Sequence, residues 1–280
     1  MSLTEQEVNR FKNEILEFSE YDFTGYSVKS FTRRLDKILN DNKMSLDSLL
    51  KKMEKNNTFL ETVVKEITVN TTEPFRTPNI WKNIIPLLED KYRDVDEIKI
   101  WHAGCSNGLE VYSMLILLYE MRLFDKVKVF GSDLNEDMLE IARSGKYRLH
   151  DFDEYWHNFD EVMKQFDGFD VKNYLDKNTR RSFVKMKSFL IEKPDFIKQD
   201  LINDGNIFST NFDIIMCRNV LIYFNHELQN EIFNFFHKNL NENGMLIIGK
   251  HESILSPIQH KFERIDSIYI KKKIDKFWDF

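Results

Sequence analysis

The stretch IKIWHAGCSNGLEVYSMLILLYEMRL, residues 98–123, decides how this chain folds. Its opening residues, IKIWHA, form a nearly continuous apolar run of the kind found in buried strands. A turn bounded by Gly104 and Gly108 follows and leads straight into an apolar segment with helical spacing. A strand that enters a helix through a tight glycine turn is typical of the first unit of an α/β sheet.

Three later apolar runs have the same character: VKVFGSD at 127–133, FDIIMCRN at 212–219 and MLIIGKHE at 245–252. Amphipathic segments separate them, and Asn135 and Asn225 stand where helix N-caps are expected. Alternation of such strands with helices predicts an α/β fold, a doubly wound, mostly parallel sheet covered by helices. The last run, FERIDSIYIKKK, alternates and predicts an antiparallel edge hairpin.

The first 66 residues show helical spacing throughout and predict an all-α domain. In VKSFTRRLDKIL, apolar side chains recur every three or four positions and leave Lys29, Arg33 and Lys37 on a polar face. Residues 26–56 contain eight Lys or Arg and four Asp or Glu, a balance of +4 in a chain of net charge −6. Composition alone leaves this face open to two interpretations, a solvated helix surface or a surface that binds an acidic partner.

A long interruption separates the second strand from the next apolar run. Residues 146–196 are rich in aromatic side chains and too long for a structureless connection. They therefore predict a small inserted subdomain, built from a few short strands with a helix.

Composition excludes several classes of protein. Hydrophobic residues make up 42% of the chain, which is enough to bury a substantial core and too many for disorder. With 40 basic and 46 acidic residues, nucleic acid is not expected as a partner of the whole chain. Cys105 and Cys217 form no CxxC pair and the seven histidines no metal motif, so we expect no metal and a reducing, cytoplasmic location. The sequence contains no run of about 18 apolar residues, so no membrane span is predicted.

Charged side chains follow the first two predicted strands, at the edge where ligands bind in α/β sheets. Asp133 ends the second strand, where a carboxylate accepts ribose hydroxyl groups in dinucleotide and S-adenosylmethionine sites alike. Glu110 falls in the first helical turn after Gly108, where it would repel a pyrophosphate and attract an ammonium group. Because the turn also lacks the GxGxxG pattern, S-adenosylmethionine is favoured over NAD. An ordinary turn and a helix-dipole role for Glu110 stay open.

A second polar group follows the run FDIIMC. Arg218 and Asn219 stand at its end, where core residues are not expected, and Tyr223 can present its ring and hydroxyl to a reacting centre. Cys217 has no histidine or lysine beside it in the sequence that could take the thiol proton, and its neighbour Arg218 is always protonated and cannot act as a base. A small buried side chain is therefore preferred over a nucleophile at that position.

Five segments together resemble the chemotaxis receptor glutamate methyltransferases. They are ITVNTTEPFR at 67–76, WHAGCSNGLEVYS at 101–113, SDLNEDMLEIARSGKYR at 132–148, CRNVLIYF at 217–224 and NENGMLIIGKHES at 241–253. The resemblance covers about residues 20–270, and CRNVLIYF and ARSGKYR are its most specific parts. It implies the class I methyltransferase type of fold with S-adenosylmethionine as cofactor.

The resemblance implies methyl transfer to glutamate side chains on the cytoplasmic helices of chemoreceptors, with S-adenosylhomocysteine as the second product. Arg76 would lie near the reacting centre and Tyr223 would face the methyl group. Arg33 and Arg34 would face the receptor. The matching cofactor positions are Asn70, Thr72, Arg76, Glu110, Asp133, Asp200, Leu201, Arg218 and Asn219. Among these, Glu110 would hold the methionine ammonium and Asp133 the ribose.

The resemblance also suggests a division of the chain. A helical domain would cover residues 1–66, a linker that contacts the cofactor 67–96, and a methyltransferase domain with the insertion 97–280. We expect a cytoplasmic monomer whose partner is the helical bundle of a chemoreceptor. The stretch LDKNTRRSFVKM in the insertion lacks the glycine-containing loop with which some family members dock a receptor's C-terminal peptide. Receptor recognition without such a peptide is therefore predicted.

Several positions depart from the family pattern. The departures are Pro74 for an aromatic residue, Leu109 and Val111 for a glutamate and a proline, Asp200 for an asparagine, and Lys250-His251 for His-Ser. The departures near Glu110 leave open a non-catalytic regulator that binds S-adenosylmethionine. A methyltransferase for a small molecule or nucleic acid is a second alternative, although the sequence has no basic strand motif interleaved with aromatic residues. An NAD oxidoreductase is a third.

Overall fold

A computed structural model describes residues 3–68, 72–153 and 155–273 of the chain. The chain forms two compact units. The helical unit consists of Met1–Val69 and Val220–Ile232, and the sheet unit consists of Asn70–Asn219 and Phe233–Phe280. The helical unit therefore combines two segments that are far apart in the sequence.

Helices form most of the helical unit. They are α1 (Glu5–Phe18), α2 (Val28–Asn42), α3 (Leu46–Lys55) and α4 (Asn57–Ile67). Side-chain oxygens of Thr4, Ser45 and Asn56 accept hydrogen bonds from first-turn amides and so begin α1, α3 and α4. The all-α character predicted for the start of the chain is confirmed.

The two faces predicted for α2 are present in the structure. The apolar stripe is buried in the helical unit through Phe31, Leu35 and Ile38. The charged side chains of Lys29, Arg33 and Lys37 are exposed. Hydrophobic burial therefore fixes how α2 is rotated, and its basic face points to solvent.

The sheet unit begins with α5 (Pro78–Tyr92). Its strands are β1 (Ile98–Ala103), β2 (Val127–Asp133), β3 (Lys146–Arg148), β4 (Leu175–Asn178), β5 (Phe183–Met186), β6 (Pro194–Lys198), β7 (Phe212–Cys217), β8 (Leu240–Ile248), β9 (Phe262–Ile265) and β10 (Ile268–Lys271). Its other helices are α6 (Leu109–Glu120), α7 (Glu136–Ser144), α8 (Leu149–Asp153), α9 (Trp156–Met163) and α10 (Ser188–Ile191). The helix α11 (His226–Asn239) begins in the part of the chain assigned to the helical unit and ends in the sheet unit. Within the described ranges, no helix combines the length and apolarity needed to span a bilayer.

The main sheet has seven strands in the order β6-β2-β1-β7-β8-β10-β9. Neighbours run parallel except at β10, which is antiparallel to both β8 and β9. From β1 the chain builds outward to β2 and β6, then returns to place β7 on the other side of β1. This confirms the predicted doubly wound, mostly parallel sheet and the edge hairpin, and the reversal at β1 marks the edge where ligands bind.

One aromatic cluster packs against the middle of the main sheet. The indole of Trp101 in β1 is fully buried and donates from Nε1 to Oγ of Ser132 at 2.8 Å. Its ring centroid lies within 6 Å of the centroids of Phe208, Phe212, Phe235 and Phe236. Such burial of large rings fixes the position of β1 between its neighbours.

A second, antiparallel sheet of order β3-β5-β4 lies within the range predicted as an insertion. β6 begins in the same range but belongs to the main sheet, where Pro194 pairs with Val129 of β2. The sequence pattern predicted short strands within the insertion but no main-sheet strand at 194–198. The reason is that β6 lies at the sheet edge, so only Pro194 and Phe196 are buried and no continuous apolar run is required.

The N-caps predicted at Asn135 and Asn225 are confirmed. Oδ1 of Asn135 accepts from the amides of Asp137 and Met138 at 3.1 and 3.4 Å. Oδ1 of Asn225 accepts from the amide of Leu228 at 2.9 Å. Both helices therefore start where short polar side chains can satisfy first-turn amides.

Gly131 in β2 allows an aromatic ring of the neighbouring strand to pack directly on the backbone. A Cβ atom at residue 131 would lie 2.7 Å from Cδ1 of Phe196 and 3.1 Å from Sγ of Cys105. Phe196 is only 8% exposed and belongs to β6. The glycine is therefore required for packing between β2 and β6.

We expect Gly131→Ala to destabilise the protein by about 1–3 kcal/mol, because the added methyl group overpacks the contact with Phe196. Urea unfolding of the wild type and the variant measures this difference. The double variant Gly131→Ala, Phe196→Leu should recover part of the loss, since leucine lacks the ring atoms nearest the new methyl group. Equal stability of wild type and Gly131→Ala would contradict the packing role.

Candidate active site

The turn after β1 is fixed to the carboxyl end of β2 by the backbone. Gly104 is left-handed at φ 74°, and the amides of Gly104 and Cys105 both donate to the carbonyl of Ser132, at 2.8 and 2.9 Å. Gly108, at φ 82°, leads into α6. The two glycines thus bring the first turn of α6 to the sheet edge where β1 and β2 end.

The carboxylate of Asp133, the last residue of β2, is oriented by backbone amides. Its Oδ2 accepts from the amide of Ser106 at 2.8 Å and its Oδ1 from the amide of Asn135 at 2.9 Å. Burial raises the pKa of Asp133, and these amides lower it by less. Each oxygen retains a further acceptor position, so the carboxylate can accept hydroxyl hydrogens of a ribose.

Glu110, in the first turn of α6, is held between two buried side chains. Its Oε2 accepts from Nη1 of Arg218 at 2.9 Å, and its Oε1 accepts from Nδ1 of His102 at 3.1 Å. The Arg218 side chain is 1% exposed and that of Glu110 is 15% exposed. An ionised carboxylate only accepts, so Nδ1 of His102 carries the hydrogen.

Electrostatics keep Glu110 ionised in this buried place. Burial opposes the charged form, but Arg218 and His102 together outweigh burial and hold the pKa of Glu110 below its ordinary value. Nε of Arg218 and Nε2 of His102 are buried and have no hydrogen-bond partner among the described residues. Buried polar atoms of this kind call for a partner, which a polar ligand beside Glu110 would supply.

His102 belongs to the site although its sequence pattern did not indicate it. Its position in β1 is fully buried, and its side chain turns toward Glu110. The available signal was a histidine among otherwise apolar residues at the end of a buried strand. The partner eight residues later becomes visible only when the turn folds back.

The backbone around Arg76 connects the linker to the same network. The Arg76 carbonyl accepts from Nη2 of Arg218 at 2.6 Å and from Nε1 of Trp81 at 3.0 Å. Phe75 and Thr77 on either side are left-handed, at φ 47° and 58°. Non-glycine residues adopt this region only under constraint, and the buried contacts of Phe75 and Trp81 provide it.

The Arg76 side chain has a different environment from its backbone. Its Nε lies 3.4 Å from Oε1 of Glu73, and a third of the side chain is exposed. The guanidinium is therefore accessible at a position that the network holds in place.

Glu252, which the sequence pattern did not indicate, fixes the backbone after β7. Oε2 of Glu252 accepts from the amides of Asn219 and Gly249, at 2.9 and 2.6 Å. Asn219 is left-handed at φ 61°. A Cβ atom at residue 249 would lie 2.7 Å from Oε2 of Glu252, so this close approach requires glycine. Glu252 thus holds the strained residue that follows Arg218.

The structure places Asp200 and Leu201 in the segment after β6. The amide of Gln199 donates to the Asp133 carbonyl at 3.0 Å, which brings this segment to the end of β2. The Asp200 carboxylate accepts from the amide of Ile202 and from Nδ2 of Asn203, both at 2.9 Å. Burial raises the pKa of Asp200, and these hydrogen bonds lower it by less. Leu201 is half-buried.

The remaining predicted residues are distributed over both units. Thr72 is half-buried in the sheet unit, and Asn70 lies outside the described residues. Tyr223, Arg33 and Arg34 belong to the helical unit. The structure therefore brings together Arg76, Glu110 and Arg218 by direct contacts, with Asp133 beside the same turn. Asn219 follows Arg218 in the chain, and its amide donates to Glu252.

Neither cysteine has the properties of a nucleophile. Burial, followed by the charges of Asp133 and Glu110, raises the pKa of Cys105 well above its ordinary value. Burial, followed by Glu252 and Glu110, does the same for Cys217. Both thiols are protonated at neutral pH, which supports the interpretation of Cys217 as a buried residue. Across the described part of the chain, no three His, Cys, Asp or Glu side chains are placed to hold a metal ion.

These residues fit S-adenosylmethionine. An ionised, buried Glu110 suits the ammonium group, and Asp133 suits the ribose. The unpartnered polar atoms beside Glu110 suit the polar end of an amino-acid cofactor. A pyrophosphate would meet the Glu110 charge in the first turn of α6, so a dinucleotide fits less well.

Comparison with known proteins gives one consistent result. The family model "CheR methyltransferase, SAM binding domain" matches residues 70–270. Cher3 of Pseudomonas putida, named as a methyltransferase, is 31% identical over 259 residues, 87% of each chain. The chemotaxis protein methyltransferase of Listeria innocua is 28% identical over 264 residues, 90% of this chain and 91% of that one. That of Escherichia coli is 30% identical over 216 residues, 75% of this chain and 70% of that one.

The family match covers every site residue of the sheet unit, from Arg76 to Glu252. The fold, the residues suited to S-adenosylmethionine and the similarity of sequence all agree. This chain is an S-adenosylmethionine-dependent methyltransferase and belongs to the CheR methyltransferase family.

Proposed function

We propose that this chain methylates glutamate side chains on the cytoplasmic helices of chemoreceptors, and that it does so in the cytoplasm. The products would be glutamate methyl esters and S-adenosylhomocysteine. A role in chemotaxis is supported by the relatives that are named chemotaxis protein methyltransferases. The network of Glu110, Arg218 and Arg76 carries the proposal. It links a buried carboxylate, suited to an ammonium group, to the backbone of an accessible arginine, suited to an acidic substrate.

The reaction needs alignment more than acid–base chemistry. When bound, S-adenosylmethionine supplies a methyl group already activated on a sulfonium. A glutamate carboxylate is ionised at neutral pH and would accept this methyl group directly, with the electron pair of the broken S–C bond left on sulfur. The chain therefore has to orient the two reactants and exclude water, and no strong general base is required.

We assign Arg76 to the substrate carboxylate. Its carbonyl is fixed by Arg218 and Trp81, and a third of its side chain is exposed beside Glu73, so the guanidinium can meet a substrate. An arginine fork matches the geometry of a carboxylate. We assign the place facing the methyl group to Tyr223, whose ring can shape an apolar wall.

The basic face of α2 supports an acidic partner. In the helical unit, a cleft of about 620 Å³ is lined by Ser27, Lys29, Ser30, Thr32, Arg33, Asp36 and Ile222. Lys29 and Arg33 are exposed in a chain whose net charge is −6. A local cationic face on an acidic protein favours approach of an acidic helix and would orient it.

A methyl ester assay tests the proposed function. Purified protein is incubated with S-adenosylmethionine labelled in the methyl group and with cytoplasmic fragments of chemoreceptors from the same cell. We expect base-labile label in the fragments. Binding of the cofactor without ester on any fragment would favour the non-catalytic regulator, and binding of NAD in a titration would favour the oxidoreductase.

Arg76→Ala should lower the rate of ester formation by about 100-fold or more, because an oriented charge on the reacting carboxylate is lost. The carbonyl contacts of residue 76 are retained, so the network with Arg218 should persist. Arg93→Ala, at an arginine whose side chain is 73% exposed, is the matched control. Full methylation of receptor fragments by Arg76→Ala would refute this role.

Asp133→Ala should weaken cofactor binding by about 10-fold to 100-fold, since hydrogen bonds to a charged group are worth about 1.5–3 kcal/mol. Calorimetric titration with S-adenosylhomocysteine measures the affinity without turnover. Asp125→Ala, at an exposed aspartate before β2, controls for the loss of a negative charge. Unchanged affinity in Asp133→Ala would remove Asp133 from the cofactor site.

The pH dependence of stability in Glu110→Gln tests whether the ion pair between Glu110 and Arg218 stabilises the fold. Because the pKa of Glu110 is held low in the folded state, that state binds fewer protons than the unfolded state near the ordinary glutamate pKa of about 4.3. The carboxylate thus stabilises the fold at neutral pH, and its contribution is lost as pH falls through the folded pKa. We expect Glu110→Gln to cost about 3 kcal/mol at pH 7, because Arg218 stays buried without its partner.

Urea unfolding at pH 7 and at about pH 4 measures this dependence. The stability difference between wild type and Glu110→Gln should shrink on acidification. Glu89→Gln, at a side chain that is 58% exposed, provides the control. A difference that is constant or larger at low pH would show that Glu110 is not stabilised as an anion.

A further inference from the structure

Arg33 and Arg34 are neighbours on α2 with different surroundings. Arg33 is exposed and lines the cleft of the basic face. Arg34 is half-buried and lines a separate crevice with Tyr26, Ser30, Phe31, Ile67 and Tyr223. Successive helical residues point about 100° apart, so the two guanidinium groups cannot serve the same surface.

The Arg34 guanidinium contacts the ring of Tyr223, the residue that we propose faces the methyl group. Its Cζ lies 4.2 Å from the centroid of the Tyr223 ring. This is a close cation–π contact, and arginine suits it because its planar group can stack on a ring. The contact lies wholly within the helical unit.

Arg34 also binds the end of α4. Its Nη1 donates to the carbonyl of Ile67, the last residue of that helix. Ile67 lies three residues before the unit boundary at Asn70, and Tyr223 lies three residues after the boundary at Val220. One side chain therefore joins the two parts of the helical unit that lie next to these boundaries in the sequence.

The segment that carries Tyr223 is also fixed by its backbone. The Tyr223 carbonyl accepts from the amide of Ser27 at 2.8 Å, and the Gly25 carbonyl accepts from the amide of Asn225 at 2.8 Å. A Cβ atom at residue 25 would lie 2.6 Å from Cδ2 of Leu228. The backbone is thus held without Arg34, which leaves the Tyr223 side chain as the part that Arg34 controls.

We propose that Arg34 is a positioning residue that holds the Tyr223 ring for methyl transfer, while Arg33 is the substrate-facing cation. This inference rests on the proposed function, in which Tyr223 faces the methyl group. It assigns to the two arginines different effects on the reaction. Loss of Arg33 weakens binding of the acidic partner, whereas loss of Arg34 leaves binding intact and disorders the ring.

Kinetics of the full-length protein separate these effects. Arg34→Met should lower kcat by about 10-fold with less than about a twofold change in KM for the receptor fragment, whereas Arg33→Met should raise KM several-fold. Arg34→Lys keeps the charge but lacks the planar fork, so it should not restore kcat. A rise in KM for Arg34→Met equal to that for Arg33→Met would overturn the proposal.

A double-mutant cycle tests whether Arg34 acts through the ring. In a Tyr223→Leu background, Arg34→Met should cause no further loss of kcat. Losses that multiply independently would show that Arg34 acts elsewhere. Should Arg34→Met fail to fold, Arg34→Lys takes its place in the cycle.

A spectroscopic readout is independent of activity. Protein labelled with 3-fluorotyrosine gives a ¹⁹F signal for Tyr223, which Tyr223→Phe identifies by its absence. This signal should shift in Arg34→Met and Arg34→Lys but not in Arg33→Met, and an unchanged signal would overturn the proposal.

The two hypotheses fail in different ways. If the wild type forms no ester on receptor fragments, the proposed function is wrong and the role of Arg34 in transfer falls with it. If the wild type is active and Arg34→Met retains the wild-type kcat, only the positioning role is wrong.

Discussion

The ion pair between Glu110 and Arg218 is the interaction on which the site depends. Both side chains are almost removed from water, where an unpaired charge is costly. Arg218 can satisfy Glu110 only if the end of β7 lies beside the first turn of α6, and its second nitrogen reaches the Arg76 carbonyl in the linker. One pair of charges thereby fixes three segments that are distant in the sequence. Since such a pair adds little net stability over apolar packing, its value here is the geometry that it imposes.

The sequence predicted those parts of the fold that local patterns determine. IKIWHA and FDIIMC lie in the middle of the sheet and are buried on both faces, so their apolar runs were unambiguous. PDFIK was missed because an edge strand needs only alternate burial. The exact strand order was also beyond local patterns. It follows from packing between strands, such as the contact of Phe196 with Gly131, and neighbouring residues in sequence carry no trace of it.

Site residues were predictable from the sequence where a charged side chain excludes a position in the core. Asp133 and Arg218 stand at strand ends, where a charge has no place in a core, and the fold places both there. His102 and Glu252 were not found, because each depends on a contact with another segment: His102 with Glu110, and Glu252 with the amide of Asn219. Arg33 and Arg34 looked equivalent in sequence. Because consecutive helical residues point in different directions, Arg33 is exposed to solvent and Arg34 contacts Tyr223.

Backbone strain indicates that the site is formed before ligands bind. Phe75, Thr77, Ser106 and Asn219 are all left-handed non-glycine residues beside site residues. Such conformations persist only where surrounding contacts impose them, and here buried donors and acceptors do so: Ser113 for Phe75, Asp133 for Ser106 and Glu252 for Asn219. Each of these hydrogen bonds is costly to break, because a buried polar group would then be left without a partner. The folded chain therefore orders the site residues before the reactants bind. For a reaction limited by alignment, such preorganisation is the largest contribution that a protein can make to the rate.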